Sequence, residues 1–165
     1  MNLIDEAEKV AEELRDVVFV GAVAIFAHIG YWSRGTEDID LAMATILSEE
    51  ELEKRGYRKY YENNKWVTRT PRGIKVDIYT EDVGRIPIST IYETATEITG
   101  KNRKIKVACV EVLLITKHRA GRAQDIEDLQ NLCRIRGKKL NWSLLQQIAN
   151  DTEIAEIRNV VNAFK

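Results

Sequence analysis

The longest apolar run of the chain, VVFVGAVAIFA from Val17 to Ala27, constrains the fold more than any other segment. Its first four residues are β-branched or aromatic, which is typical of a buried strand. Gly21 interrupts the run, and the apolar segment after it predicts a helix. The run has eleven residues, well short of the ~20 that a membrane helix needs. We therefore expect an α/β fold with no membrane association.

Patterns along the rest of the chain predict an α/β part followed by an all-helical part. Strands are predicted at 17–20, 38–44, 57–62, 65–70, 73–80 and 104–108, and helices at 3–15, 22–32, 48–56, 89–99, 110–121, 124–136, 141–149 and 152–163. We expect an α/β core over residues 1–108, a small mixed sheet flanked by helices. The C-terminal helical part, residues 109–165, is expected to pack on it as one compact unit.

Composition favours a folded protein of the cytoplasm. Of the 165 residues 44% are hydrophobic, which is enough for a core and excludes disorder. The start, MNLIDEAEKV, is acidic where a signal peptide would be basic. Cys109 and Cys133 lack metal-ligand spacing and are expected to be buried thiols. They fall at the same end of two predicted helices and would approach each other if those helices form a hairpin.

The net charge of −1 hides an asymmetry along the chain. Residues 1–56 contain 5 Lys and Arg against 13 Asp and Glu, whereas residues 101–140 contain 11 against 4. One interpretation is a carboxylate cluster beside a basic wall, which suits a metal ion and a polyanion together. The other is two solvated surfaces of opposite sign.

Two aspartates, Asp38 and Asp40, flank one isoleucine in the predicted strand DIDLAMA. Alternate residues of a strand share a face, so the two carboxylates would lie roughly 7 Å apart on one side. Ionised carboxylates on one face repel unless a cation lies between them, and Mg²⁺ is the hard, oxygen-seeking ion that suits such ligands. The alternative is an edge strand with two solvated aspartates.

A third carboxylate, Asp77, lies in the apolar strand IKVDIYT. An aspartate in such company is costly unless it is paired or metal-bound. If this strand is the neighbour of the first, Asp77 joins Asp38 and Asp40, and three carboxylates are what two-metal phosphoryl transfer requires. The alternative is an ion pair between Asp77 and an arginine across the sheet.

Two further features suggest a phosphate site. Gly21 lies where a strand turns into a helix, so backbone N–H groups and the positive end of the helix dipole can face an anion. Lys117 follows Leu113 and Leu114 on the apolar face of its helix. It therefore points inward and needs an anion, unless its stem extends so that the ammonium reaches water.

Two other polar residues have a simpler interpretation beside a role in the site. Asp125 lies in the first turn of a predicted helix, where the helix dipole favours an aspartate in any case. His28 is expected to be a packed core residue.

These residues together carry a resemblance. VGAVAIFAHIGYWSRGTEDIDLAM followed by VDIY resembles the signature of the DNA polymerase β-type nucleotidyltransferase superfamily: a glycine and a small residue, a helix, Asp-x-Asp on a strand, and a third Asp on a later strand. The segment RGTEDID is similar to minimal nucleotidyltransferases, above all the abortive-infection, type IV toxin-like members. The resemblance covers roughly residues 17–130.

The resemblance implies the following roles. Asp38, Asp40 and Asp77 would hold Mg²⁺ or Mn²⁺, and Asp77 would help to activate the attacking hydroxyl. Nucleotide-binding residues would be Gly21, Ala22, Arg34, Thr36, Lys117, Arg122 and Asp125, with Lys117 also counted as catalytic. Ala22 departs from the pattern, since Ser or Gly is frequent at that position.

We therefore expect transfer of a nucleoside monophosphate from an NTP to a hydroxyl of an RNA end, a protein or a small molecule, with a cognate antitoxin as a partner if the protein is toxin-like. The alternative is a non-catalytic relative that binds a nucleotide or a partner, for which Ala22 is the basis. A single-strand RNA-binding module based on residues 101–140 ranks last, because that segment lacks a clear aromatic stacking pattern.

Overall fold

A computed structural model describes residues 2–31 and 38–165 of the chain. The strands of this part are β1 (Val17–Val20), β2 (Asp38–Met43), β3 (Arg58–Glu62), β4 (Lys65–Arg69), β5 (Lys75–Tyr79), β6 (Asp82–Val83), β7 (Ile86–Pro87), β8 (Thr96–Thr99) and β9 (Lys104–Val107). The helices are α1 (Leu3–Leu14), α2 (Gly21–Ile29), α3 (Glu49–Lys54), α4 (Ile88–Glu93), α5 (Val110–Ala120), α6 (Ala123–Arg136), α7 (Trp142–Ile148) and α8 (Asp151–Asn162), with a 3₁₀ turn at Gly137–Lys139.

Seven strands form one mixed sheet in the order β3-β4-β5-β2-β1-β9-β8, while β6 and β7 pair separately. Strand β2 lies between β1, to which it is antiparallel, and β5, to which it is parallel. The predicted architecture, a mixed sheet with helices and a C-terminal helical part, is therefore confirmed. This strand order makes β2, which contains Asp38 and Asp40, the direct neighbour of β5, which contains Asp77.

Local sequence explains most element boundaries. Ser48 caps α3 through a hydrogen bond from the Glu51 N–H, and the Glu51 side chain bonds back, as the predicted capping box requires. Asn63 and Asn64 both adopt positive φ between β3 and β4, which is the backbone that a two-residue hairpin turn needs. The predicted hairpin is thus present, with an asparagine pair as its turn.

One element prediction was wrong. The helix expected over 89–99 ends at Glu93, and Thr96–Thr99 forms the edge strand β8, antiparallel to β9. Threonine and isoleucine are β-branched and favour a strand. The free edge of β9 decides between the two structures, because pairing satisfies backbone groups that an isolated final helical turn would not.

One hydrophobic core connects the sheet to the helices on its faces. Phe19, Ile39 and Leu41 are fully buried in the central strands, and the stretch Val112–Ile115 of α5 is buried on all sides. A helix that is apolar all round belongs in an interior. Within residues 2–31 and 38–165, no helix combines the length and the apolar character that crossing a membrane requires.

The two cysteines are both buried, and both are free thiols. Burial raises the pKa of each thiol, to about 11 for Cys133. Helices α5 and α6 pack against each other, so the predicted hairpin is present without a disulfide. The thiols therefore contribute to the core as small apolar groups.

A buried carboxylate fastens α1 to the loop between β4 and β5. Glu6 is 1% exposed and accepts hydrogen bonds from the Thr70 hydroxyl at 2.7 Å and from Arg72 Nε at 2.9 Å. The other two nitrogens of the Arg72 guanidinium donate to Glu13 at 2.8 and 2.6 Å, and Glu13 also accepts from Tyr57. Arg72 thus neutralises two carboxylates of one helix.

We expect Arg72→Met to lower the free energy of unfolding by about 3 kcal/mol or more, because it leaves Glu6 buried without its cation. Urea denaturation followed by circular dichroism measures this. The matched control is Lys54→Met, whose pair with Glu50 is largely exposed and should contribute less than about 0.5 kcal/mol. Equal losses in the two variants would contradict a structural role for the Arg72 network.

Candidate active site

The centre of the candidate site is a pair of carboxylates, Asp40 on β2 and Asp77 on β5. The parallel register places these residues directly opposite each other, so the charge of one carboxylate acts on the other. Burial first, and then the negative charge of Asp77, raise the pKa of Asp40 to about 6, against a smaller lowering effect of Lys117. Asp40 therefore retains a proton more readily than an isolated aspartate.

The third predicted carboxylate, Asp38, lies on the same face of β2 and is half-exposed. Its register partner on β5 is Lys75, whose Nζ lies 3.7 Å from Asp38 Oδ2 and 3.7 Å from Asp77 Oδ2. The cation beside Asp77 is thus Lys75, which lies on the same strand. The predicted alternative to a metal ion was an arginine across the sheet. Sequence reasoning missed Lys75, although alternation along β5 puts it on the face of Asp77.

The donor chemistry of this face suits a hard divalent cation, because the side chains of Asp38, Asp40 and Asp77 offer carboxylate oxygens alone. Asp40 and Asp77 lie directly opposite each other on neighbouring strands. In the part of the chain that the structure describes, no three His, Cys, Asp or Glu side chains gather closely enough to form a ready metal cage. Convergence of all three carboxylates on one metal therefore stays a prediction.

Gly21 provides the wall of the site next to Asp40. It has φ +59° and begins α2 directly after β1. A Cβ built on Gly21 would lie 2.4 Å from Asp40 Oδ2, a distance that no side chain tolerates. The positive φ and the close approach of Asp40 both favour glycine at this position. Its neighbour Ala22 is half-buried in the first turn of α2 and offers no hydroxyl.

Lys117 on α5 is buried, so its ammonium does not snorkel into water. It donates to Asp125 Oδ1 at 3.1 Å and lies 3.0 Å from Asp128 Oδ2, both on α6. Its charge also acts on Asp40, whose pKa it lowers. The inward direction expected of Lys117 is thus present, but its direct partners are carboxylates of α6, and Asp128 was not predicted.

Asp125 has a larger role than capping a helix. It is fully buried and accepts hydrogen bonds from the Arg122 backbone N–H at 3.2 Å and Arg122 Nε at 2.7 Å. Burial alone would raise the pKa of Asp125, but the hydrogen bonds from Arg122 and Lys117 outweigh it and hold the pKa below its ordinary value. Asp125 therefore anchors the two cations.

Arg122 is largely exposed, and its guanidinium pKa is raised first by the hydrogen bond to Asp125 and further by Asp40 and Tyr79. The pKa of Tyr79 is itself raised by burial and by the charges of Asp40 and Asp77. Tyr79 was not predicted as a site residue, although it follows Asp77 by two positions and so shares its face. Arg34 and Thr36 lie outside the described residues.

His28 is a core residue, as expected. Its side chain is buried, and Nε2 donates to the carbonyl of Ala108 at 2.8 Å. Burial lowers the pKa of His28, so the neutral imidazole is favoured. It contributes no base to the carboxylate face.

Comparison with known proteins reveals relatives only at the level of the fold, since no family model and no curated protein matches the chain. An antigenic nucleotidyltransferase-like protein from Paracoccidioides brasiliensis has 17% identity over 98% of this chain and 86% of its own, with a TM-score of 0.59. ANT(2")-Ia in complex with adenylyl-2"-tobramycin has 17% identity over 96% of this chain and 98% of its own, with a TM-score of 0.57.

A third similar structure is the lincosamide antibiotic adenylyltransferase LnuA with lincomycin bound. It shares 16% identity over 78% of this chain and 93% of its own, with a TM-score of 0.53. Identities this low establish shared architecture, so the chain has the nucleotidyltransferase fold. The fold that the predicted resemblance implied is therefore confirmed.

Asp40→Asn should remove a pH dependence of stability. Below about pH 4 the carboxyl is protonated in the folded and unfolded states alike. Between about pH 4 and the folded pKa of about 6, the unfolded state releases its proton first, so wild-type stability falls as pH rises. The amide does not titrate, so the variant should be the more stable protein at pH 7, with a difference that shrinks towards pH 4.

Urea unfolding at half-unit steps from pH 4 to pH 7.5 measures this. Asp151→Asn, an exposed position in α8, controls for the loss of one charge. Parallel stability profiles for wild type and Asp40→Asn would contradict the raised pKa.

Gly21→Ala and Gly30→Ala form a second matched pair. Both glycines have positive φ, but a Cβ on Gly30 meets nothing within 4 Å. Each variant should lose about 1 kcal/mol from backbone strain, and Gly21→Ala should lose a further ~1–3 kcal/mol because it displaces Asp40. Urea denaturation gives the difference, and equal losses would show that the Asp40 contact relaxes at no cost.

Proposed function

We propose that the protein is a Mg²⁺- or Mn²⁺-dependent nucleotidyltransferase that moves a nucleoside monophosphate from an NTP to a hydroxyl acceptor. The observation that carries the proposal is the placement of Asp40 directly opposite Asp77 on neighbouring strands, with Asp40 against Gly21 at the start of α2. Carboxylates beside a helix N-terminus put metal ligands and phosphate donors in one place. The nucleotidyltransferase fold supports it.

The triphosphate would lie at the first turn of α2. Val20, the residue before this helix, makes no side-chain capping hydrogen bond to it in the described residues, so the first N–H groups can bind phosphate oxygens. Lys117 and Arg122 add positive charge near Asp40. Arg34 and Thr36 remain proposed contributors from the motif alone.

The metal ligands in this proposal are Asp38, Asp40 and Asp77. A bound divalent ion would neutralise the phosphates and lower the pKa of the attacking hydroxyl. Asp77 would orient that hydroxyl and accept its proton. The acceptor oxygen then forms a bond to the α-phosphorus, the bond to the bridging oxygen breaks, and pyrophosphate leaves with its electron pair.

Among acceptors, a small-molecule hydroxyl is favoured. The similar structure of ANT(2")-Ia contains adenylyl-2"-tobramycin, and that of LnuA contains lincomycin. The alignment with this chain covers nearly all of ANT(2")-Ia. An RNA end or a protein hydroxyl, with a cognate antitoxin as regulator, is the second choice, and it rests on the RGTEDID motif alone. A nucleotide-binding protein without transfer activity is the remaining alternative, and it rests on Ala22.

Incubation with each α-³²P-labelled NTP and Mg²⁺ should transfer label to one acceptor class: aminoglycosides and lincosamides, total RNA, or protein. With γ-³²P-labelled NTP the label should appear in pyrophosphate. Asp40→Asn and Asp77→Asn should lower transfer at least about 100-fold, because each removes a metal ligand. Asp151→Asn is the charge-matched control and should retain wild-type activity.

Thermal melts with Mg²⁺–NTP separate the alternatives. Stabilisation by millimolar Mg²⁺–NTP without transfer to any acceptor would favour the non-catalytic binding protein. No stabilisation and no transfer would contradict both hypotheses.

A further inference from the structure

We propose that Lys75 is a resident counter-cation of the carboxylate face, which a divalent metal ion must displace in order to bind. The inference rests on the metal-binding part of the proposed function. Its basis is the position of the Lys75 ammonium, 3.7 Å from Asp38 Oδ2 and 3.7 Å from Asp77 Oδ2. No other cation of the described residues forms an ion pair with either carboxylate.

The burial of these side chains argues against a chance surface contact. The Lys75 side chain is 23% exposed, less than the Asp38 and Asp77 side chains at 47% and 43%. A lysine side chain without a specific partner usually extends its ammonium into water. Here the stem lies along the sheet face, and the ammonium stays with the carboxylates.

The sheet register enforces this arrangement. Lys75 is the cross-strand partner of Asp38 and precedes Asp77 by two residues on β5, so all three side chains leave one face of the sheet. The other described cations near these carboxylates pair elsewhere: Lys117 with Asp125 and Asp128, Arg69 with Glu62, and Arg122 with Asp125. Among the described residues, Lys75 is therefore the charge that balances Asp38 and Asp77 when no metal is bound.

A metal ion and this ammonium compete for the same atoms. Mg²⁺ bonds carboxylate oxygens at about 2.0–2.1 Å, and the Oδ2 atoms of Asp38 and Asp77 both face Lys75 Nζ. A metal ion and an ammonium this close repel each other. The ion pair of Lys75 with the carboxylates therefore weakens metal binding, and metal binding weakens that ion pair by the same factor. Metal should then enter most favourably together with NTP, whose phosphates give the displaced ammonium a new partner. Lys75 thus disfavours metal binding without nucleotide.

The test uses Lys75→Met with Lys104→Met as the matched control. Lys104 also lies on a strand and pairs with one carboxylate, Glu97, at 3.4 Å, so the control loses the same net charge. Mn²⁺ binding without nucleotide is measured by electron paramagnetic resonance. Lys75→Met should bind Mn²⁺ about tenfold more tightly than wild type, and Lys104→Met within about twofold.

Stability provides a readout that needs no metal. In chelator-treated protein, Lys75→Met should melt about 3 °C below wild type, since Asp38 and Asp77 lose their countercharge. Lys104→Met should melt near the wild-type temperature. In the Asp38→Asn background the effect of Lys75→Met should shrink, because one of its two partners is already neutral. Lys75→Gln repeats every measurement if Lys75→Met does not fold.

The outcomes separate the inference from the proposed function. Equal or weaker Mn²⁺ binding by Lys75→Met overturns the competition, and a melting temperature equal to that of Lys104→Met overturns the counter-cation role. No Mn²⁺ binding by wild type or Lys75→Met at millimolar concentration overturns both the competition and the metal part of the proposed function. Tighter binding by Lys75→Met without any nucleotidyl transfer supports the competition and overturns only the activity.

Discussion

The direct pairing of Asp40 with Asp77 across β2 and β5 is the constraint on which the site depends. Two carboxylates close together are unfavourable unless a proton or a cation lies between them. Burial of Asp40, and after it the charge of Asp77, raise the pKa of Asp40 to about 6. The sheet holds the pair together because Ile39 and Leu41, on the opposite face of the same strand, are fully buried. A one-residue shift of β2 would expose these side chains and bury the aspartates.

Positive charge around the pair is divided between two parts of the fold. Lys75, on the sheet, balances Asp38 and Asp77 directly. Lys117, on the helical part, acts on Asp40 while bound to Asp125 and Asp128. This division suits a reaction in which some charges must move and others must stay. A lysine whose side chain is 23% exposed and whose partners are themselves partly exposed can move, whereas a buried lysine held by two buried carboxylates cannot.

The sequence predicts the parts of this structure that local rules govern. The strand-glycine-helix unit, the capping box at Ser48 and the Asn63–Asn64 hairpin all follow from residue type and spacing. The segment 89–99 was predicted incorrectly because the alternative, pairing with β9, depends on a strand that arrives later in the chain. Secondary structure that a distant edge decides cannot be read from a local pattern.

For the site, the sequence identifies the residues more readily than their partners. Asp38, Asp40 and Asp77 can be identified from the sequence because a carboxylate in an apolar strand is costly unless it is paired or metal-bound. Lys75 and Tyr79 do not, since a lysine or a tyrosine at the end of a strand is ordinary. Their roles depend on the parallel register of β2 and β5, which the sequence leaves open. Asp128 was missed for a related reason, because its contact with Lys117 depends on how α6 packs against α5.

The helical part also contains two buried carboxylates, Asp125 and Glu153, that stay ionised because cations are bound to them. Arg119, on α5, is fastened to α8 by two hydrogen bonds to Glu153, at 2.8 and 3.0 Å, and the hydrogen bond from Arg119 lowers the pKa of Glu153 to about 2. The pKa of Asp125 is also held low, so the helical anchors stay ionised in mild acid. Asp40, by contrast, takes up a proton near pH 6, so its charge changes in a pH range where those of Asp125 and Glu153 do not.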